Sequence, residues 1–249
     1  MASAQARTGQ ALAGMRWPDV DHRARRVLVV PVGSLEQHGP HLPLDTDTRI
    51  AVEVASRSCA GRPGVALAPA FAIGASGEHA DFPGTLSIGG DALAACLTEL
   101  GRHASLHWAA MLLVNGHGGN AEAIGTAADR LRYEGRNCRV WHAELAGHAG
   151  LQGDGLQPGD AHAGRFETSI MLALAPDAVR MSAAAAGDRR PLAELMPTLR
   201  EGRVRAVSAN GVLGDPSGAS AQEGERLLAR LSAQLGETLD DLLRSLADG

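Results

Sequence analysis

The stretch VLVVPVGSLEQHGPHLPLDTDT, Val27 to Thr48, joins two unlike halves. Val27 to Val32 is a short, continuously apolar run, which reads as a strand buried on both faces. Gly33 to Thr48 follows at once and crowds Glu36, His38, His41, Asp45 and Asp47 into one loop, stiffened by Pro40 and Pro43. In open α/β sheets ligands gather beyond the carboxyl ends of the strands, so a buried strand that empties into such a loop points to that fold class and to a site at that end.

Outward from this stretch the pattern repeats. Three more apolar runs read as strands: VALAPA from Val65, AAMLLVN from Ala109 and CRVWHAE from Cys138. Between them lie helical segments: TRIAVEVASRSCA from Thr48 with the Thr48 hydroxyl as cap, DALAACLTELGRHASLHW with Asp91 as cap, and NAEAIGTAADRLRYEG closed by Gly135. ETSIMLALAP from Glu167 is a further buried helix, and the segment from Gly224 to the end has leucines at helical spacing opposite charges. Strands alternating with helices predict an α/β layered fold with a mostly parallel sheet. Ser182 to Ser220, rich in Arg, Pro, Gly and Ala, is expected to wrap the surface or meet a neighbouring subunit.

Composition narrows the function. The 249 residues with 45% hydrophobic content suit one domain spanning 1–249. A net charge of -5 with scattered arginines argues against nucleic acid or an acidic membrane as partner, since both need a concentrated basic face. Aromatic content of 3% leaves no stacking platform for bases or sugars. No run is long and apolar enough for a membrane span, and the start does not resemble a signal peptide, so a cytoplasmic chain is expected. Cys59, Cys96 and Cys138 are odd in number and lack a CxxC pair, which predicts buried thiols rather than disulfides or a thiolate metal site.

Three sequence-distant loops carry the chemistry. Glu36 and His38 are two apart, so in extended chain both face one point; Asp47 sits at the start of the next helix, where a carboxylate is electrostatically favoured. His117 lies in VNGHGGN, just past the third strand, where glycines permit close backbone approach. GDAHAGRFETS supplies Asp160, His162 and Glu167. A lone histidine in a glycine-rich loop is more often structural than a ligand, and NGHGGN alone would also suit a phosphate-binding turn in a non-catalytic module. The grouping favours a metal centre instead. Imidazoles and carboxylates without a thiol suit zinc, iron(II) or manganese(II), and more than three carboxylates suggest two ions. Such a pair hydrolyses amides, with His162 placed to pass a proton to the departing nitrogen. His41 and Asp45 are expected to support the loop, and Glu78 and His79 to serve a substrate, lid or oligomer contact. His22, His103, His107, His142 and His148 have no such company.

VPVGSLEQHGPHLPLDTDT, NGHGGN and DAHAGRFETSIMLALAP together resemble the three signature regions of the creatininase family of metal-dependent amidohydrolases. The resemblance covers most of the chain and implies a three-layer α/β/α sandwich, usually assembled as a homo-hexamer. It implies that Glu36 and His117 bind one ion, His38 the other, that Asp47 bridges them, and that His162 carries the proton. Where creatininase has a Glu two residues after the ligand His, this chain has Gly119, and Glu167 is the replacement expected. LPLDTDTRIA, GASGEHADFPGTLSIG and the segment from Pro191 to Gly224 resemble a branch of the family that acts on a modified ribosomal precursor peptide, with iron(II) the implied metal. Hydrolysis of a small cyclic amide or a formamide is the alternative.

Overall fold

The computed structural model describes residues 11–20, 26–143 and 159–248. Four strands, β1 (Val27–Val32), β2 (Val65–Leu67), β3 (Ala110–Asn115) and β4 (Cys138–His142), form one sheet in the order β2-β1-β3-β4, with every pair parallel. Val27 lies opposite both Val65 and Ala110, and Met111 opposite Cys138. The helices are α1 (Thr46–Cys59), α2 (Gly90–Ala104), α3 (Ala121–Tyr133), α4 (Arg165–Leu174), α5 (Leu192–Val207) and α6 (Ala221–Ser245).

Alternation along the strands sorts the helices into layers. Val27, Val29, Leu112 and Val114 face one way and pack with Ile50 and Val54 of α1, Ile170 of α4 and the Leu227–Leu228–Leu235 stripe of α6. Leu28, Val30, Val32, Met111 and Leu113 face the other way, onto Leu93 and Leu97 of α2 and Ile124 and Leu131 of α3. Both faces of β1 are therefore covered, which is why every one of its residues is apolar. The result is the expected three-layer α/β/α sandwich.

Pro31 sits in this central strand without breaking it. Its carbonyl accepts from Phe71 N at 2.9 Å, so its nitrogen points to the same side, where β2 has already ended at Leu67. Two residues lie between Ala68 and Phe71, while one lies between their partners Val29 and Pro31, so one residue bulges out beside the proline.

Several boundaries differ from expectation. Thr48 is not a cap: α1 starts two residues earlier, and the Thr48 hydroxyl donates to Ser34 O at 2.9 Å. Asp91 lies inside α2, whose cap position is Gly89. Gly135 does close α3, at φ 77, a left-handed conformation that costs glycine least. Cys96 is exposed, whereas Cys59 and Cys138 are buried thiols. The 182–220 segment is more than a surface wrap. It forms α5, broken at Arg203, and then turns inward so that Val212 and Leu213 are buried. Leu213 exchanges backbone hydrogen bonds with His162, both at 2.9 Å. Among the described residues no helix is long and apolar enough to cross a membrane.

Candidate metal centre

The loops after β1, β2 and β3 and the turn before α4 converge beyond the carboxyl end of the sheet. Glu36, His38, Asp47 and His117 meet there, and all four are buried. His38 Nδ1 faces the Glu36 carbonyl at 3.1 Å. A carbonyl only accepts, so Nδ1 carries the hydrogen and Nε2 presents a lone pair when the ring is neutral. That lone pair points at Asp47 Oδ1, 2.9 Å away, with Glu167 Oε2 at 4.0 Å.

Asp47 lies between the two imidazoles. Its Oδ2 accepts from the Ser34 hydroxyl at 2.7 Å and stands 3.2 Å from His117 Nδ1. His117 Nε2 is 3.0 Å from Glu36 Oε2. The Asn120 side chain ties two of the loops together: its oxygen accepts from Ala75 N at 2.8 Å and its amide nitrogen donates to Gly33 O at 2.9 Å.

His162 Nε2 lies 2.8 Å from the Gln37 carbonyl, which makes Nε2 the donor and leaves Nδ1 as the acceptor, 3.8 Å from Glu36 Oε1. The turn holding it is strained. Ala163 has φ 53, rare for a residue with a Cβ, and its N–H donates to Glu167 Oε2 at 2.5 Å. Strain of this kind costs about 1–3 kcal/mol and persists where surroundings over-determine it.

Sequence reasoning placed Glu78 and His79 at a substrate, lid or oligomer contact rather than in the cluster itself, and it missed Gln37. Gln37 donates to Gly211 O at 3.0 Å and faces His79 Nδ1 at 2.8 Å. His79, buried, places Nε2 3.3 Å from Glu36 Oε1, and Glu78 places Oε1 3.3 Å from His117 Nε2. The available signal was the adjacency of Glu78 and His79 in a glycine-rich loop at the end of β2. Asp160 belongs elsewhere: its oxygens accept from Arg165 N at 2.8 Å and Phe166 N at 2.9 Å, which caps α4. His41 bonds Thr168 at 2.9 Å and Asp45 pairs with Arg49 at 2.7 Å, both supporting roles as expected. His103, His107 and His142 are exposed, and His22 and His148 lie outside the described residues.

Burial sets the electrostatics. It raises the Glu36 carboxyl to about 7 and that of Glu167 to about 8, despite the imidazoles nearby. For His38 burial works against the charged form, yet Asp47 beside it, with Glu167 and Glu36 behind, wins and lifts it to about 10. His117 is likewise raised against its burial by Glu36 and Asp47, and Asp47 is held well below the carboxylate range by His38 and His117. His162 is pushed down by burial and by His38, so it is neutral.

These donors fit a cation. Both oxygens of Glu36 are fully buried with no hydrogen-bond partner, a costly state unless something positive sits against them. The lone pair of neutral His38 faces a carboxylate, acceptor against acceptor. Among the described residues three trios have donor atoms within 4.8 Å of one another: Glu36, Glu78 and His117; His38, Asp47 and Glu167; and Glu36, His38 and His162.

A family model described as "Creatininase: Creatinine amidohydrolase" matches residues 13–239. A protein of Mycolicibacterium smegmatis named mycofactocin precursor peptide peptidase is 50% identical over 84% of this chain and 83% of its own length. One of the same name from Mycobacterium ulcerans is 46% identical over 93% of this chain and 85% of its own. A solved structure described as "Creatininase Mn" superposes with a TM-score of 0.77 at 26% identity, covering 93% of this chain and 98% of that one.

Proposed function

The chain belongs to the creatininase family and is a hydrolase of amide or peptide bonds, and on that premise we propose a metal-dependent peptidase of mycofactocin biosynthesis. Its substrate is a modified ribosomal precursor peptide, from which it releases the C-terminal Val–Tyr-derived part. The name shared by the two mycobacterial relatives supports this substrate over a small cyclic amide or a formamide. We read residues 1–249 as one amidohydrolase domain, working in the cytoplasm as a homo-oligomer, a hexamer by family resemblance.

The observation that carries the reading is the buried Glu36 carboxylate, whose two oxygens have no hydrogen-bond partner while imidazoles and carboxylates crowd round it. Glu36 and His117 would hold one divalent ion and His38 and Glu167 the other, with the Asp47 carboxylate available to both. Iron(II) is favoured, and zinc or manganese also suits the donor set. Such a pair, when bound, makes water nucleophilic and polarises the scissile carbonyl. The chain's own part is positioning and proton transfer. The Gln37 carbonyl holds the His162 Nε2 hydrogen, so Nδ1, neutral and facing the cluster, takes up a proton and delivers it to the departing nitrogen.

The test is to purify the protein, measure iron, zinc and manganese per chain, and incubate it with the modified precursor peptide, with creatinine and a formylamino compound as comparators. Release of the C-terminal fragment by a metal-loaded preparation supports the proposal. Full activity from a metal-free preparation, or turnover of creatinine with the peptide left intact, overturns it.

A further inference from the structure

We propose that Glu78 is a cation ligand, completing a site with Glu36 and His117, beside a Gly119 where the Ala75 carbonyl, His117 and the Glu78 carboxylate together leave no room for a side chain. The inference rests on the metal-dependent reading above and adds a donor to it.

Three observations meet. A Cβ built on Gly119 would lie 2.3 Å from Glu78 Oε1 and 2.5 Å from both the Ala75 carbonyl oxygen and His117 Nε2. No side chain fits there while Glu78 stays where it is. Around His117 Nε2 three acceptors crowd: Glu36 Oε2 at 3.0 Å, Ala75 O at 3.2 Å and Glu78 Oε1 at 3.3 Å. One ring hydrogen cannot serve all three, whereas a cation among one imidazole and two carboxylates would satisfy the charged pair. Glu36 then finds, through that cation, the partner its buried oxygens lack.

The turn bearing Glu78 is also held in place. Gln37 grips His79 from the site side at 2.8 Å, and α5 grips the far side through Arg203, 2.8 Å from Asp81, and Arg205, whose guanidinium lies 4.3 Å over the Phe82 ring. Glu78 is thus aimed at His117 from a different loop than the one carrying Gly119. Glu167, 4.0 Å from His38, belongs with His38 and Asp47 instead, so the two trios have separate carboxylates. With Glu36, Asp47, Glu78 and Glu167 ionised, the carboxylate charge balances two divalent cations.

The experiment strips the purified full chain with a chelator and titrates it with Mn2+ alone, read by electron paramagnetic resonance and by metal per chain, for wild type, E78Q, E167Q and G119A. The wild type is expected to take two equivalents. E78Q should lose one or bind it at least about tenfold more weakly, the scale at which even outer partners of a metal count. E167Q should lose the other, and G119A, whose methyl would press on the Ala75 carbonyl and His117 Nε2 as well as on Glu78 Oε1, should bind Mn2+ no better than E78Q. Thermal melts of the metal-free proteins show whether each variant folds; if G119A does not, E78Q, which keeps the side-chain shape, decides. Two unchanged equivalents in E78Q overturn the inference and leave the proposed function standing. No Mn2+ bound by the wild type overturns both.

Discussion

Two glutamates show opposite treatments of the same side chain. Glu134, at the end of α3, is met by Arg102, by Arg130 at 2.8 Å and by Arg136 at 2.8 Å, and these arginines, Arg102 first, draw its carboxyl down to about 2. Glu36, at the end of β1, has no arginine, and burial drives it up to about 7. Around Glu36 the chain puts only imidazoles beside its interior carboxylates, whereas the buried Glu223 elsewhere is met by Arg165 at 2.9 Å. An arginine in the interior would neutralise the cluster and also exclude a metal, since guanidinium never gives up its proton to become a ligand. Histidine can, so a core built this way stays incompletely compensated until a cation arrives.

That contrast can be broken most sharply at Glu36. Glu36→Gln should lower turnover by roughly a thousandfold or more, as expected when a group that stabilises transition-state charge goes. It should leave the metal-free melting temperature no lower than that of metal-free wild type, because it removes a buried carboxylate whose oxygens accept no hydrogen bond from the protein. A metal-free E36Q protein that unfolds first would mean Glu36 is held by the protein itself.

His162→Asn should cost about 10²- to 10⁴-fold in turnover. Metal per chain should stay unchanged if His162 moves protons rather than binding the ion, and elemental analysis beside peptide-cleavage rates checks both parts.

Removing the metal comes next. A ligand present at a thousand times its Kd stabilises the folded state by about 4 kcal/mol, so chelation should lower the melting temperature clearly. The size should depend on pH. In the metal-free protein His38 titrates near 10, above its ordinary 6.5, so its stabilising contribution is complete below about 6.5 and is lost as pH rises through about 10. Cations compete with that proton, so their affinity should rise over the same window. Calorimetry in buffers of different ionisation heat should show protons released on binding, and an affinity flat with pH would contradict the donor role of His38.

The smallest effect belongs to the surface. Arg102→Ala should leave turnover and metal content unchanged and shift the melting temperature only slightly, less still in high salt. A loss of metal in that variant would show that the two clusters are coupled.

Much of the centre was legible because Glu36 and His38 follow β1, His117 follows β3 and Asp47 opens α1, and parallel strands deliver their exits to one edge. Glu78 and His79 were less so, since α5 meets the 77–82 turn through Arg203 and Arg205, and Gln37 was not, since its partner Gly211 lies far along the chain. Helix α5 was itself hidden by Pro197 and by the reversal at Arg203, φ 62, which spoil its periodicity. Asp160 looked like a ligand because carboxylates that cap helices and those that bind metals read alike until the backbone N–H groups of Arg165 and Phe166 are seen.

Pro31 gives the sheet a stopping rule. An imino acid at that point offers no hydrogen, so regular pairing of β1 with β2 lapses after Leu67 and resumes only at Phe71, which bonds the Pro31 carbonyl and the Gly33 N–H. The chain leaving β2 is set free to arch over the sheet instead of lengthening it, and Glu78 travels with it. One absent hydrogen atom thereby marks the point where β2 gives way to the loop that brings Glu78 to within 3.3 Å of His117.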